Sequence, residues 1–160
     1  MGGEKSMRLT YEFEWTVAAE QPSDIGRLDN GVLHHHVLPS ARLIGDRLNA
    51  NSVHPGTDLF RQLDDGYAAI DVRVLMQTDD GALIHVAYQG FVEPTEAFLQ
   101  AVQSLTPTEF TDQSIRTTWT LTTGDPRYNW VNRAVFIGEG RLLPAGDNRL
   151  GMQHKVYRAA

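Results

Sequence analysis

The chain has no cysteine among its 160 residues, so it can hold no disulfide framework, no thiolate nucleophile and no thiolate-bound metal. It also lacks any apolar run near the roughly 20 residues that cross a bilayer, which excludes a membrane-spanning helix. Basic residues are scarce: 14 Lys and Arg stand against 20 Asp and Glu, a formal charge of -6. No basic stripe offsets that balance, so nucleic acid is not an expected partner. There is no Gly-x-Ser-x-Gly elbow, and Gly138-Glu-Gly140 follows a strand instead of opening a helix, so neither a serine hydrolase nor a phosphate-cradling loop is indicated. No cofactor is expected. The first six residues lack the basic and then apolar pattern of a secretory signal. They read as disordered or as a non-native addition, and a cytoplasmic location is the default.

What remains is ordinary globular composition, 41% hydrophobic and 21% charged, with many short strand patterns. One domain is expected over residues 7–158. From Met7 to Val17 the pattern alternates, with Leu9, Tyr11, Phe13, Trp15 and Val17 on one face and Arg8, Thr10, Glu12, Glu14 and Thr16 on the other, as in a half-buried strand. A turn at Asp29-Asn-Gly31 leads to an apolar run carrying His34, His35 and His36. A further strand is expected from Ala41 to about Val53, interrupted by Gly45, and His54-Pro-Gly-Thr-Asp58 reads as a loop.

The clearest hairpin spans Tyr67 to about Val92 around Thr78-Asp-Asp-Gly81. If Asp80-Gly81 is a two-residue loop, Asp79 faces Ala82, Arg73 faces Tyr88 and Asp71 faces Gly90. A slip of one residue would exchange the two faces. Pro94 to Leu105 is the one convincing helix, with Phe98, Leu99, Ala101, Val102 and Leu105 as its apolar stripe. Strand patterns follow at Ser114 to Thr122, Arg133 to Gly138 and Leu150 to Arg158. Between the first two lies the densest chemistry in the chain, where Asp125-Pro126 reads as the N-cap and first residue of a short helical turn. That turn delivers Tyr128, Trp130 and Asn132 to one place. Many short strands with one short helix predict an all-β antiparallel barrel or sandwich.

The succession Asp64-Asp-Gly, Asp71-x-Arg73, Thr78-Asp-Asp-Gly-Ala-Leu-Ile84, Arg116-Thr117, Thr123-Gly-Asp-Pro-Arg-Tyr-Asn-Trp-Val-Asn132 and Val135-Phe-Ile-Gly138 resembles the domain-of-unknown-function 3237 family. The resemblance runs from about Ile25 to Tyr157. It implies a single calycin-like β-barrel with an internal cavity, frequently oligomeric, and no assigned reaction. The chain departs from the family at Val37-Leu-Pro-Ser-Ala41, at Leu59 and at the triple histidine.

Three functional readings follow. In the first, Arg73 and Arg116, with their paired guanidinium donors, bind a partly apolar, oxygenated or anionic small molecule together with Tyr128, Trp130 and Asn132. Asp58, Asp71 and Tyr88 then move protons in cyclase, isomerase or lyase chemistry. Each residue also has a plain structural role: Asp71 with Arg73 as a surface pair, Trp130 as a cap on the core, Asn132 as a loop brace and Asp58 as a turn cap. In the second reading the barrel is a ligand carrier or an oligomerising module. Strands apolar on both faces, at Tyr67–Gln77 and Ala82–Val92, point to a covered outer face and so to a homo-oligomer, a dimer first of all. The third is a metalloprotein built on His34 and His36, which share a strand face; the third ligand that a metal site needs is not selected by spacing.

Overall fold

A computed structural model describes residues 6–160, so the expectation for the first six residues falls almost wholly outside the described ones. In chain order the elements are β1 (Leu9–Ala19), β2 (Ser23–Arg27), β3 (Val32–Leu38), β4 (Ala41–Gly45), β5 (Asn49–Ser52), β6 (Gly56–Gln62), β7 (Ala68–Thr78), β8 (Leu83–Glu93), α1 (Glu96–Ser104), β9 (Ser114–Thr122), a 3-10 segment (Pro126–Arg133), β10 (Phe136–Leu142) and β11 (Leu150–Ala159). Every strand pairing is antiparallel. Eight strands close on themselves in the order β7-β5-β4-β1-β11-β10-β9-β8, with β8 returning to β7. The fold is therefore a closed, calycin-like antiparallel barrel, and closure leaves those eight without a free edge.

The long strand β7 shares one edge between two neighbours. Its second half pairs with β5 and its first half with β6, so that β6, β3 and β2 form a wall that extends the barrel on one side. The expected strand from Ala41 to Val53 is in fact β4 and β5, a hairpin turned at Asp46 and Arg47. Asp58 does not lie in a loop; β6 begins at Gly56 and carries it.

The alternation of β1 holds only in part. A bulge between Tyr11 and Phe13 shifts the register. Phe13, Trp15 and Val17 fill the core, while Leu9 and Tyr11 are exposed. The bulge turns Glu12 inward, where Arg47 and Arg158 bond its carboxylate at 2.5 and 2.7 Å. Burial pushes that carboxyl up, but the two guanidiniums win and hold it below the usual range.

The barrel centre is filled by Trp15, Tyr88, Trp119 and His154. Tyr88 stacks on Trp119 at 3.8 Å, Trp15 meets Trp119 edge-on at 5.3 Å, and His154 lies 5.2 Å from Tyr88. Two glycines of β10 make room for these rings. A Cβ at Gly138 would lie 2.5 Å from Thr117 Oγ1 and 2.6 Å from Trp119 Nε1, and one at Gly140 would lie 2.8 Å from the His154 ring. Because both neighbours of Gly138 are themselves buried and hydrogen-bonded to one another at 2.7 Å, neither can yield cheaply. Gly138→Ala is expected to cost about 2 kcal/mol or more in a urea titration, the range for overpacking a closed core; an unchanged midpoint would show that the Thr117–Trp119 pair is free to move.

Candidate functional site

The hairpin joining β7 to β8 decides which side chains can share a site. Its loop has three residues, Asp79, Asp80 and Gly81, because Thr78 N–H bonds the Ala82 carbonyl at 2.8 Å and Gly81 N–H bonds the Thr78 carbonyl at 3.0 Å. Gly81 sits at φ 96, the left-handed residue that such a bulged turn requires. The Thr78 hydroxyl fixes the arrangement, donating to Asp80 Oδ1 at 2.6 Å and accepting from Ala82 N–H at 2.7 Å.

The two-residue loop expected from the sequence is thus one residue out, and the faces exchange. Val72 pairs with Tyr88 inside the barrel, whereas Arg73 pairs with Ala87 and Asp71 with Gln89 on the outside. Arg116 is exposed on the outer face of β9 and, among the described residues, its side chain bonds only the Ile115 carbonyl, at 3.0 Å. The arginines expected to line an anion pocket therefore stand apart from Tyr88, on the other side of the barrel wall.

The structure gathers a different set on the inner face of the β3–β6 wall. His34 pairs with Phe60 and His36 with Asp58, and Asp58 pairs in turn with Val72, the partner of Tyr88. His36, Asp58, Val72 and Tyr88 thus form one cross-strand row on one face, with neighbouring Cβ atoms about 5 Å apart. Phe60 packs against the core and stands edge-on to His36 at 5.9 Å. All four wall residues, His34, His36, Asp58 and Phe60, are half-buried.

A skip in the ladder places Asp58. Pairing between β6 and β7 omits Leu59 and Phe60, and Asp58 Oδ1 accepts the Asp71 N–H at 3.1 Å in place of a backbone carbonyl. Burial drives the Asp58 carboxyl up to about 7; the Asp71 N–H opposes this and the Asp71 charge adds to it. Burial likewise raises Tyr88, helped by the Asp58 charge. His36 is lowered by burial, although its Nδ1 lies 3.1 Å from the Glu20 carbonyl. At neutral pH the row is poised between neutral forms, with Asp58 the group that can take or give a proton there.

The 3-10 segment is capped as its sequence indicates, with Asp125 accepting from Arg127 N–H at 2.9 Å and Pro126 opening the turn. The Arg127 side chain and backbone hold the Asp125 carboxyl down to about 2. Tyr128 donates to Asp80 Oδ1 at 2.8 Å, and Arg127 reaches Asp80 as well, so this segment is tied to the tip of the β7–β8 hairpin. Trp130 is half-buried under the Arg47 guanidinium, 3.7 Å from its ring centre. Asn132 clamps Thr123 with two bonds of 2.8 Å, accepting its N–H and donating to its carbonyl. Tyr128, Trp130 and Asn132 are thereby brought together at one barrel end, engaged in bracing it.

Trp15 belongs to the core, as the alternation of its strand indicates, and His154, one of the histidines that could have completed a metal site, lies there with it. His154 is 1% exposed and Trp15 is fully buried, and His154 Nδ1 and Trp15 Nε1 have no hydrogen-bond partner among the described residues. Burial alone lowers His154 to about 3. Position 154 lies on the inward face of a predicted strand, and that was its only signal. Among the described residues no group of three potential ligands could hold a metal ion, and no helix is long and apolar enough to cross a membrane.

An eight-stranded antiparallel barrel closed on itself defines a calycin-like β-barrel protein. Residues 7–159 match the family described as "Protein of unknown function (DUF3237)", and the chain belongs to that family. It is 28% identical over 145 residues to a UPF0311 protein of Clostridium acetobutylicum, covering 88% of this chain and 89% of that one. Among solved structures it resembles a conserved protein of unknown function from Rhodopseudomonas palustris, with a TM-score of 0.86 at 18% identity, covering 97% and 99% of the two chains. It also resembles an enzyme from Penicillium herquei, with a TM-score of 0.64 at 18% identity over 97% and 99%.

Proposed function

We propose that the protein binds an uncharged, oxygen-bearing and partly apolar small molecule against the inner face of the β3–β6 wall, where Asp58 exchanges a proton with it. The observation that carries this reading is the row His36, Asp58, Val72, Tyr88 on one face beside Phe60, with no Lys or Arg at the inner positions of β3, β6, β7 or β8. Phe60, His34 and His36 supply an apolar, aromatic surface, and the acid supplies one directional hydrogen bond, the usual composition of a small-molecule site. An anionic ligand would need the guanidiniums of Arg73 and Arg116, which lie outside.

The reactions that suit one neutral-range acid and a raised phenol are isomerisation, cyclisation and elimination by proton transfer. The barrel scaffold is compatible with catalysis, since a protein of the same fold in Penicillium herquei is an enzyme. A homodimer and a cytoplasmic location belong to the same reading.

Matched pairs of ligands test it: a neutral ketone or alcohol and its carboxylate analogue, compared by thermal shift. The neutral member is expected to raise the Tm, with the shift lost in His36→Ala; equal binding of the carboxylate sinks the reading. Where turnover is found, log kcat/KM should bend near pH 7, the titration of Asp58, and Asp58→Asn should remove the bend together with about 100-fold or more of the rate.

A further inference from the structure

The outer side of the barrel wall from β6 to β10 carries unpaired charges and uncovered apolar surface together. Phe91 is 57% exposed and Leu59 41%, and between the strands runs a groove of about 470 Å³ lined by Asp71, Gln89, Phe91, Arg116 and Ile137 among others. Neither Asp71 nor Arg116 makes an ion pair among the described residues, and Asp71 Oδ1 is buried with no hydrogen-bond partner. By contrast, Arg27, Arg42, Arg47, Arg127, Arg149 and Arg158 all hold carboxylates.

Asp71 and Arg116 lie on either side of β8. Asp71 is level with Gln89 and Arg116 is level with Phe91, so the point midway between them falls on β8 beside Gly90. We propose that this face is a two-fold interface with a second copy of the chain, Asp71 of each protomer pairing with Arg116 of the other and the Phe91 rings packing near the axis. A two-fold interface must be self-complementary, because each residue meets the surface that its own partner residue comes from. An unpaired acid and an unpaired base placed on either side of Gly90, with an exposed phenyl ring next to the base, meet that condition. Seven residues at about 3.4 Å give the face a length of roughly 24 Å along the strands, and the barrel's curvature confines its width to the strands beside β8. The outward-facing Arg61 and Arg73 sit toward the β6–β7 margin of the face, where a rim stays wet. This inference rests on the homodimer reading and adds the face that forms it.

Light scattering on the full chain at micromolar concentration tests it by charge reversal. The wild type is expected at twice the 17.9 kDa chain mass. Arg116→Asp and Asp71→Arg are each expected to give monomers, and the double variant to return to the dimer with its circular dichroism unchanged. If Asp71→Arg does not fold, Phe91→Asp replaces it, with a monomer expected. A monomeric wild type overturns both the dimer and the face; a dimer that survives Arg116→Asp and Phe91→Asp overturns the face alone. The thermal-shift response to neutral ligands should persist in Arg116→Asp and Phe91→Asp, whose side chains do not touch Asp58, and this separates the outcome from the ligand site.

Discussion

Replacing Asp58 by Asn is expected to raise the unfolding free energy at pH 8 by roughly 2–4 kcal/mol while abolishing proton transfer at the β3–β6 wall. Folding raises the Asp58 carboxyl from its ordinary 3.8 to about 7, so the native state holds a proton that the unfolded chain has released. The sign follows from that difference. Below pH 3.8 both states are protonated and nothing is lost; between 3.8 and 7 the unfolded chain releases a proton that the native state keeps, so stability falls across that window and levels off once the native carboxyl ionises as well. The upper end of the range is the full linkage term, and the lower end allows for water reaching the side chain. Asparagine keeps the Oδ1 that accepts the Asp71 N–H at 3.1 Å, so the ladder skip remains closed and only the ionisation cost is removed. Urea titrations of both proteins should converge near pH 4 and separate by pH 8. Equal stability at pH 8 would mean that Asp58 ionises freely there, and the proton-transfer reading would lose its acid.

Asp58 and Tyr88 stood out in the sequence as groups able to move protons, but their alignment with His36 in one row did not. The barrel itself was legible, because period-two alternation on β7, β8 and β9 survives intact: Ile70, Val72, Val74 and Met76, then Ile84, Val86 and Tyr88, then Ile115, Trp119 and Leu121 are all buried. The helix and the Asp125 cap were legible for the same local reason, since capping acts within three or four residues. Register was not. Asp80-Gly81 suits both a two-residue loop and the last two positions of a three-residue one. The choice is made by Thr78, whose hydroxyl bonds Asp80 and Ala82. That one residue moves Arg73 and Asp71 to the outside and leaves Tyr88 within.

The wall beside the barrel was half visible. The shared face of His34 and His36 follows from strand geometry, and their orientation toward the core does not. It is set by β6, whose approach, His54-Pro-Gly, reads as a loop because proline and glycine punctuate most chains. Only pairing with β7 turns Thr57 and Asp58 into a strand. The bulge at Glu12 is equally non-local: an acid in an alternating strand is expected outside, and it turns inward because Arg47 and Arg158 arrive from elsewhere in the fold.

Acid should destabilise the Asp58→Asn barrel far more than the wild type, and the difference lies in His154. Its ring is lowered from 6.5 to about 3 by burial among Tyr88, Trp119 and Trp15. The unfolded chain therefore binds a proton below pH 6.5 that the native state refuses, and stability falls as pH drops from 6.5 toward 3. In the wild type Asp58 acts in the opposite sense between pH 3.8 and 7, so the two slopes nearly cancel from about pH 4 to 6.5. His36 adds a smaller contribution with the sign of His154. Asn at position 58 removes the compensation, and the stability of that variant is expected to fall by on the order of 3 kcal/mol between pH 6.5 and 4. His154→Leu, near in volume and without a proton to bind, should do the reverse and grow more stable relative to its own value at pH 7 as the medium is acidified to pH 4. The window stops there because Glu12, Asp64, Asp80 and Asp125, all lowered in the fold, begin to take up protons below it. Level profiles in both variants would show that neither ring nor carboxyl is held neutral by burial, and that the barrel centre admits more water than its packing implies.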